Sequence, residues 1–387
     1  MISYFQYLCY NVSVSVNNAK TIFIPIPACR EYHIVQTIKS ALAAAEYPDR
    51  LYFGVFNTIL NNELSLLDEH GVPTDPVLHS AHVFYTEFLS PVAMGTGFSR
   101  MNASLLSDRD HDFVLQVDAH MIFDKGWDVE IINNYDIASR YTDSPFVLSN
   151  QPHGWYYKKE NRDKPFIHSL GQGLTVEVDP LAFDSRKLTD YRIRSVVSNI
   201  YTDPKVFVER GNIDNIGKAW VDYGEYDQSK KIEIDGVTFH EGNCVNASQL
   251  FFSYKYLMDL LHYPKDWFYG DQINYSLRLI SRGFKIFHFY YPTLITLGKV
   301  YPSKSEKVES GEINGSEDEK FNWQYTMNQK DGSSYRKSKY LKHLSTKSGQ
   351  HHKDIFTGNL LGYWGAPDKE SLDMAKKIMN LEDFNPL

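Results

Sequence analysis

Along the first third of the chain, short apolar runs alternate with stretches of helical period. Residues 21–27 (TIFIPIP) form an apolar run closed by prolines, and the apolar positions from Ile34 to Ala45 fit one face of a helix. LYFGVFN at 51–57 is a second strand-like run. Strand, helix, strand at this spacing predicts a βαβ unit and thus a parallel sheet. The pattern recurs with HVFYTEF at 82–88 as a strand, Phe98 to Ser107 as a helix and Asp112 to Val117 as a strand ending at Asp118. An α/β domain with helices on both sheet faces follows, and ligands of such sheets collect at the carboxyl ends of the strands.

Residues 151–240 are less periodic, with short β-rich pieces at 174–178 (LTVEV) and 205–209 (KVFVE), and an irregular acceptor-side region is expected there. Beyond it the pattern predicts a helix over Gln249–Leu261, another over Gln272–Ser281 stopped by Gly283, and a strand at FKIFHFYY. Lys304 to Lys353 is charged and rich in Gly and Ser, the composition of a mobile loop or lid. ESLDMAKKIMNLEDF reads as a closing amphipathic helix. The expected division is a catalytic domain at 1–303 (a nucleotide-sugar half at 21–150 and an acceptor half at 151–303), a charged insertion at 304–353 and a closing segment at 354–387. No internal repeat is visible.

At 387 residues and 42% hydrophobic content, the chain can bury a substantial core. Its net charge of −8 supplies no global attraction to nucleic acid or an anionic membrane. Three cysteines, Cys9, Cys29 and Cys244, lack metal-ligand spacing and make a disulfide framework unexpected. The first 20 residues lack a basic opening and a membrane-length apolar run, so a cytoplasmic enzyme without a membrane span is expected.

Candidate chemistry concentrates in FVLQVDAHMIFDKGWD at 113–128, where a buried apolar strand releases Asp118 and His120. Alternation places both on one side of an extended chain, where they can face one ion. A carboxylate and an imidazole, completed by diphosphate oxygens and water, suit Mn²⁺ or Mg²⁺, the imidazole favouring Mn²⁺. Such an ion offsets the charge that builds on a departing nucleoside diphosphate. The competing role is structural, with Asp118 capping a turn and His120 half-buried beside it. Upstream, Gly95 and Gly97 let a backbone approach a ligand, and Arg100 at the following helix start offers a guanidinium to phosphate. Arg100 can equally be an exposed residue paired with Asp108. Downstream, Gly270 precedes Asp271 at a helix start, where Asp271 is either a cap or a carboxylate aimed at an acceptor hydroxyl.

In order, IFIPIPACRE, the block of Ala93, Gly95 and Arg100, LQVDAHMIF at 115–123 with Trp127 and Asp128, Phe268-Tyr-Gly-Asp-Gln with Arg278 and Gly283, and LGYWGAPDKESLD resemble the GT-A polypeptide α-N-acetylglucosaminyltransferases, of the type that modifies hydroxyproline or threonine. The resemblance spans roughly 21–300 and 358–376. It implies an α/β fold of the nucleotide-diphospho-sugar transferase type, with a Rossmann-like mixed sheet flanked by helices. It implies a UDP-sugar donor, a protein or glycan hydroxyl as acceptor, and retention at the anomeric carbon. Asp118 and His120 would be metal ligands, Arg100 a diphosphate contact with a catalytic role, and the Pro27–Glu31 turn, which includes Arg30, would form part of the nucleoside pocket together with Asn57, with Gly95, Gly97 and Asp118 beside the donor. The chain departs from that pattern in Asp271-Gln272, where an acidic pair is expected, and in YYPTLITLGKVY, which lacks a late histidine; His288, His351 and His352 are the remaining candidates for a third ligand. Alternatives are a same-fold enzyme acting on a glycan or a hydroxymethylated DNA base, for which the Lys/Arg cluster at 336–353 could supply a local basic patch, and an inactive carbohydrate-binding module.

Overall fold

The computed structural model describes residues 20–29, 31, 33–59, 65–90, 94–150, 152–158, 161–168, 175–187, 197–201, 215–216, 219–224, 231–266, 271–289, 293–297, 350–351, 353–379 and 381. Its first half alternates strand and helix: β1 (Ile22–Cys29), α1 (Ile34–Ala44), β2 (Leu51–Ile59), β3 (Val83–Leu89), α2 (Thr96–Ser104), β4 (Phe113–Val117), β5 (Met121–Phe123), α3 (Trp127–Ala138) and β6 (Phe146–Ser149). Strands β7 (His153–Lys158), β8 (Asn161–His168), β9 (Thr175–Glu177), β10 (Val197–Tyr201), β11 (Asn215–Ile216) and β12 (Ala219–Gly224) follow. The chain then makes β13 (Lys231–Ile234), β14 (Val237–Gly242), β15 (Gln249–Ser253), the helix Asp271–Ser281, β16 (Lys285–Phe289), β17 (Leu294–Leu297) and the helix Lys369–Ile378.

Among the described residues the largest sheet has nine strands, in the order β13-β14-β16-β6-β15-β4-β1-β2-β3. The predicted parallel unit is its one flank, where β4, β1, β2 and β3 run parallel. The rest is mixed, because β15 inserts antiparallel between β4 and β6. A five-stranded sheet, β5-β17-β7-β8-β9, begins at β5, the strand that follows His120, and a small sheet pairs β10, β12 and β11. The nine-stranded sheet takes strands from both sides of residue 150.

Strand alternation divides the core. Ile22, Ile24, Ile26, Leu115 and Val117 pack with Ile34 and Ile38 of α1 and with Trp127 and Ile131 of α3. On the other face, Phe23, Val114, Leu250 and Phe252 pack with Ile273, Leu277, Leu372 and Ala375 of the later helices. Each fully buried Ile, Leu or Phe contributes about 1.5–3 kcal/mol, so the two faces hold the sheet between helical layers.

Gln249–Leu261 is a correction: it is the strand β15, followed by a 3₁₀ turn at Tyr254–Tyr256, not a helix. Four of the five β15 residues are buried because both its edges and both its faces are covered. A strand covered in this way is a continuous apolar run, which periodicity alone does not separate from a buried helix. The other elements fall within a few residues of expectation where they are described. The piece expected at 205–209, and 304–349 of the predicted insertion, lie outside the described residues.

Candidate active site

The site forms where β4 ends. All five β4 residues are buried. Its neighbour β1 carries Pro25 and Pro27, which have no N–H to give a ladder, and the pairing of β1 with β4 stops at Phe23↔Val114. The carboxyl ends of the two strands are therefore unpaired with each other. After Val117 the chain bends rather than continuing extended. Thr37 of α1 pins the bend, its hydroxyl donating to the Ala119 carbonyl at 2.9 Å and accepting from the Met121 amide at 2.9 Å. Trp155, fully buried, donates its indole N–H to the His120 carbonyl at 3.2 Å.

Asp118 and His120 are brought together, with Asp118 Oδ2 4.0 Å from His120 Nε2. Arg100, on the fifth residue of α2, reaches the same carboxylate, its Nη2 3.4 Å from Oδ1. Its side chain is only 8% exposed, and its partner is Asp118 where Asp108 was the alternative. Ser248, just before β15, donates its hydroxyl to Asp118 Oδ2 at 2.5 Å. Burial pushes the Asp118 carboxyl up, but the charges of Arg100 and His120 and the Ser248 hydrogen bond outweigh it and hold the group below its ordinary value.

Glu31 completes the cluster. Its Oε2 lies 3.1 Å from His120 Nδ1, and its Oε1 accepts from the His33 amide at 3.1 Å and sits 2.6 Å from His33 Nδ1. Burial raises the Glu31 carboxyl, yet the two imidazoles and their hydrogen bonds hold it far below the usual carboxylate range. Glu31 closes the Pro27–Glu31 turn expected at the nucleoside pocket, and in the structure it faces His120. Ser248 was not singled out as a site residue and carries no sequence signal.

The other candidates separate. Pro27 is half-buried near the end of β1, in register with Phe56. Asn57, fully buried on β2, donates its amide to the Tyr85 hydroxyl at 3.1 Å, and that hydroxyl donates to Glu87. Burial, reinforced by the Glu87 hydrogen bond, pushes the Tyr85 phenol well above its usual range. Gly95 has φ of 94°, a conformation that favours glycine, and precedes α2. Gly97 faces the protein itself: a Cβ there would stand 2.1 Å from the Tyr263 carbonyl, and its amide donates to the Asp266 carbonyl at 3.1 Å. The close approach expected of a ligand at Gly97 is made by this loop. Asp271 is the first residue of its helix, its side chain outside the description; Arg30, Gly270 and His352 also lie outside the described residues.

Neither described histidine proposed as a third ligand reaches Asp118. His288 lies on β16, separated from β4 by β6 and β15, a distance of about 14 Å at ordinary strand spacing. It is buried against Gly242, where an added Cβ would meet its Nε2 at 2.2 Å. His351 stacks on Tyr263 at 3.5 Å between ring centroids, with Nε2 3.6 Å from Asp266 Oδ1. Among the described residues no three His, Cys, Asp or Glu side chains are grouped to hold a metal ion by themselves. Asp118 and His120 are the pair that can share one with a ligand.

The remaining motif residues are architectural. Trp127 donates its indole N–H to the Ala41 carbonyl of α1 at 3.0 Å, and Asp128 accepts from the Glu46 and Tyr47 amides of the turn after α1 at 2.8 and 2.9 Å. Arg278, 3% exposed, donates to the carbonyls of Leu261 and Tyr363 and lies over Trp364. It fastens the LGYWG segment to the helix Asp271–Ser281.

A mixed α/β sheet flanked by helices, with charged residues gathered at the carboxyl end of a central strand, defines an α/β enzyme of GT-A-like architecture. The family model described as Glycosyltransferase (GlcNAc) matches residues 60–199, a stretch that contains Arg100, Asp118 and His120. The chain is a glycosyltransferase. No curated protein matches it.

Proposed function

We propose that this enzyme moves N-acetylglucosamine, or a related hexose, from a UDP-sugar to a hydroxyl of a protein or glycan, with retention, in the manner of the polypeptide α-N-acetylglucosaminyltransferases its motifs resemble. The observation that carries the reading is the convergence of Asp118, His120 and Arg100 at the end of β4. The sugar is suggested by the description of the matching family. The donor set fits Mn²⁺ or Mg²⁺: one carboxylate and one imidazole nitrogen 4.0 Å apart leave most coordination positions to phosphate oxygens and water. When bound, the ion would stabilise the charge of the leaving diphosphate. Arg100 adds a fixed positive charge from α2, and its planar guanidinium suits phosphate oxygens. Glu31, His33 and Trp155 hold the bend that carries His120.

Asp271, at the amino end of its helix, is proposed to orient the acceptor hydroxyl, and Pro27, Arg30, Asn57 and Gly95 to border the donor. A cytoplasmic location is in keeping with the three-cysteine composition; no described helix is long and apolar enough to cross a membrane. The test is a panel of nucleotide sugars with Mn²⁺, scored for slow hydrolysis to free nucleotide without acceptor. UDP-N-acetylglucosamine should be hydrolysed fastest, chelation by EDTA should stop it, and Mn²⁺ should restore it better than Ca²⁺. Full activity in chelator would overturn the metal assignment, and preference for another nucleotide would overturn the donor.

A further inference from the structure

We propose that Glu31 is a positioning residue that holds the neutral His120 ring as the tautomer protonated on Nδ1, so that Nε2 carries the lone pair on the side of Asp118. The consequence for a metal rests on the reading of Asp118 and His120 as the ligand pair; the tautomer does not.

A connected set of contacts converges on this assignment. Glu31 Oε2 lies 3.1 Å from His120 Nδ1, while Nε2 is the nitrogen turned toward Asp118, 4.0 Å from its Oδ2. A carboxylate only accepts, so the ring N–H belongs on the Glu31 side. Glu31 is itself fixed, because its other oxygen accepts from the His33 amide at 3.1 Å and lies 2.6 Å from His33 Nδ1. The His33 ring in turn meets the fully buried Trp155 edge-on, with centroids 5.6 Å apart, and the Trp155 indole donates to the His120 carbonyl. His120 is thus held through its ring by Glu31 and through its backbone by Trp155, and His33 joins the two supports. A carboxylate behind a ligating imidazole orients the ring and raises its basicity, and losing such a partner weakens metal binding about 10–100-fold.

Glu31→Gln separates positioning from packing. The amide keeps the volume, and with its oxygen held by the His33 amide it turns its NH2 toward His120 Nδ1, which favours the opposite tautomer. The first measurement is on the unaltered protein: long-range ¹H–¹⁵N spectra of the His120 ring, assigned with His120→Ala and recorded on the alkaline side of the ring's titration. A proton on Nδ1 is expected, and one on Nε2 overturns the proposal. In Glu31→Gln the tautomer should shift toward Nε2–H and the Mn²⁺ affinity in the presence of UDP should fall about 10–100-fold, both read at a temperature where the variant is folded by circular dichroism. An unchanged tautomer in Glu31→Gln would overturn the positioning role. If the tautomer shifts as expected but the unaltered protein binds no Mn²⁺ with UDP, the positioning role stands and the metal reading fails. If Mn²⁺ binds and His120→Ala weakens it, but Glu31→Gln changes neither ring nor affinity, the metal reading stands and the proposal fails.

Discussion

Asp118 is surrounded by groups that favour its charged form, and each acts from a different element: Arg100 from α2, Ser248 from the loop before β15, His120 from the bend after β4. Such a carboxylate stays ionised and directed, which is what a ligand to a cation or a partner to a guanidinium requires. Asp118→Asn and His120→Ala should each lower transfer by at least about 100-fold, the scale of losing electrostatic stabilisation at a developing charge. Each also takes one partner from a buried charge, Arg100 in the first and Glu31 in the second, so rates are compared at a temperature where the variants are folded by circular dichroism. Turnover in Mn²⁺-supplemented buffer at the parental rate would show that neither is a ligand.

The helices place the site through close backbone contacts. Gly97 allows α2 to lie against the loop at Tyr263 and Asp266, and so sets where Arg100 emerges. Alanine is the better helix former by about 1 kcal/mol, yet at position 97 its Cβ would overlap a backbone carbonyl that cannot rotate away. Gly97→Ala should therefore destabilise the protein, by about 2 kcal/mol net, measured by urea unfolding. An increase in stability would mean that the loop yields. A second expectation belongs to the helix Asp271–Ser281. If Asp271 orients the acceptor, Asp271→Asn should reduce transfer far more than donor binding, whereas asparagine serves equally well at a helix start. Rates of transfer and of acceptor-free hydrolysis, compared in one preparation, separate these roles. An unchanged ratio between them would reduce Asp271 to a helix-terminal residue.

Across the whole molecule, the sheet buries His240 and His288 side by side on β14 and β16, with ring centroids 6.3 Å apart. Burial first, then the neighbouring His240, pushes the His288 imidazole down to about 3. An unfolded histidine titrates near 6.5, so between roughly pH 6.5 and 3 the unfolded chain binds a proton that the folded chain refuses. The contribution is complete above pH 6.5 and is lost as pH falls through that window. Stability at pH 5 should be lower than at pH 7.5 by about 2 kcal/mol from this residue. Urea unfolding of the parent and of His288→Asn at both values checks this, and an equal pH loss in the two proteins would assign the loss to other groups.

Sequence alone determined the parallel flank, because β1, α1, β2, β3, α2 and β4 are local patterns with the periods of strand and helix. It also marked Arg100, within α2, and Asp118 and His120, just past the end of β4. The helix α3 was less legible, since Asp128 and Asn134 stand among its buried residues and interrupt the apolar stripe. The strand β15 was misread, because a strand covered on both faces has no alternation to show. The Asp235-Gly236 turn, both residues at positive φ, is the kind of two-residue hairpin signal that does survive in sequence. Tertiary structure decided what depends on distant segments meeting. It placed β15 between β4 and β6, brought Ser248 to Asp118 across 130 residues and Glu31 to His120 across 89, and gave the gap at Gly97 to the loop at Tyr263. A periodic pattern reports only which side of a segment is buried. Which residue lies against it is settled by the packing of the whole sheet.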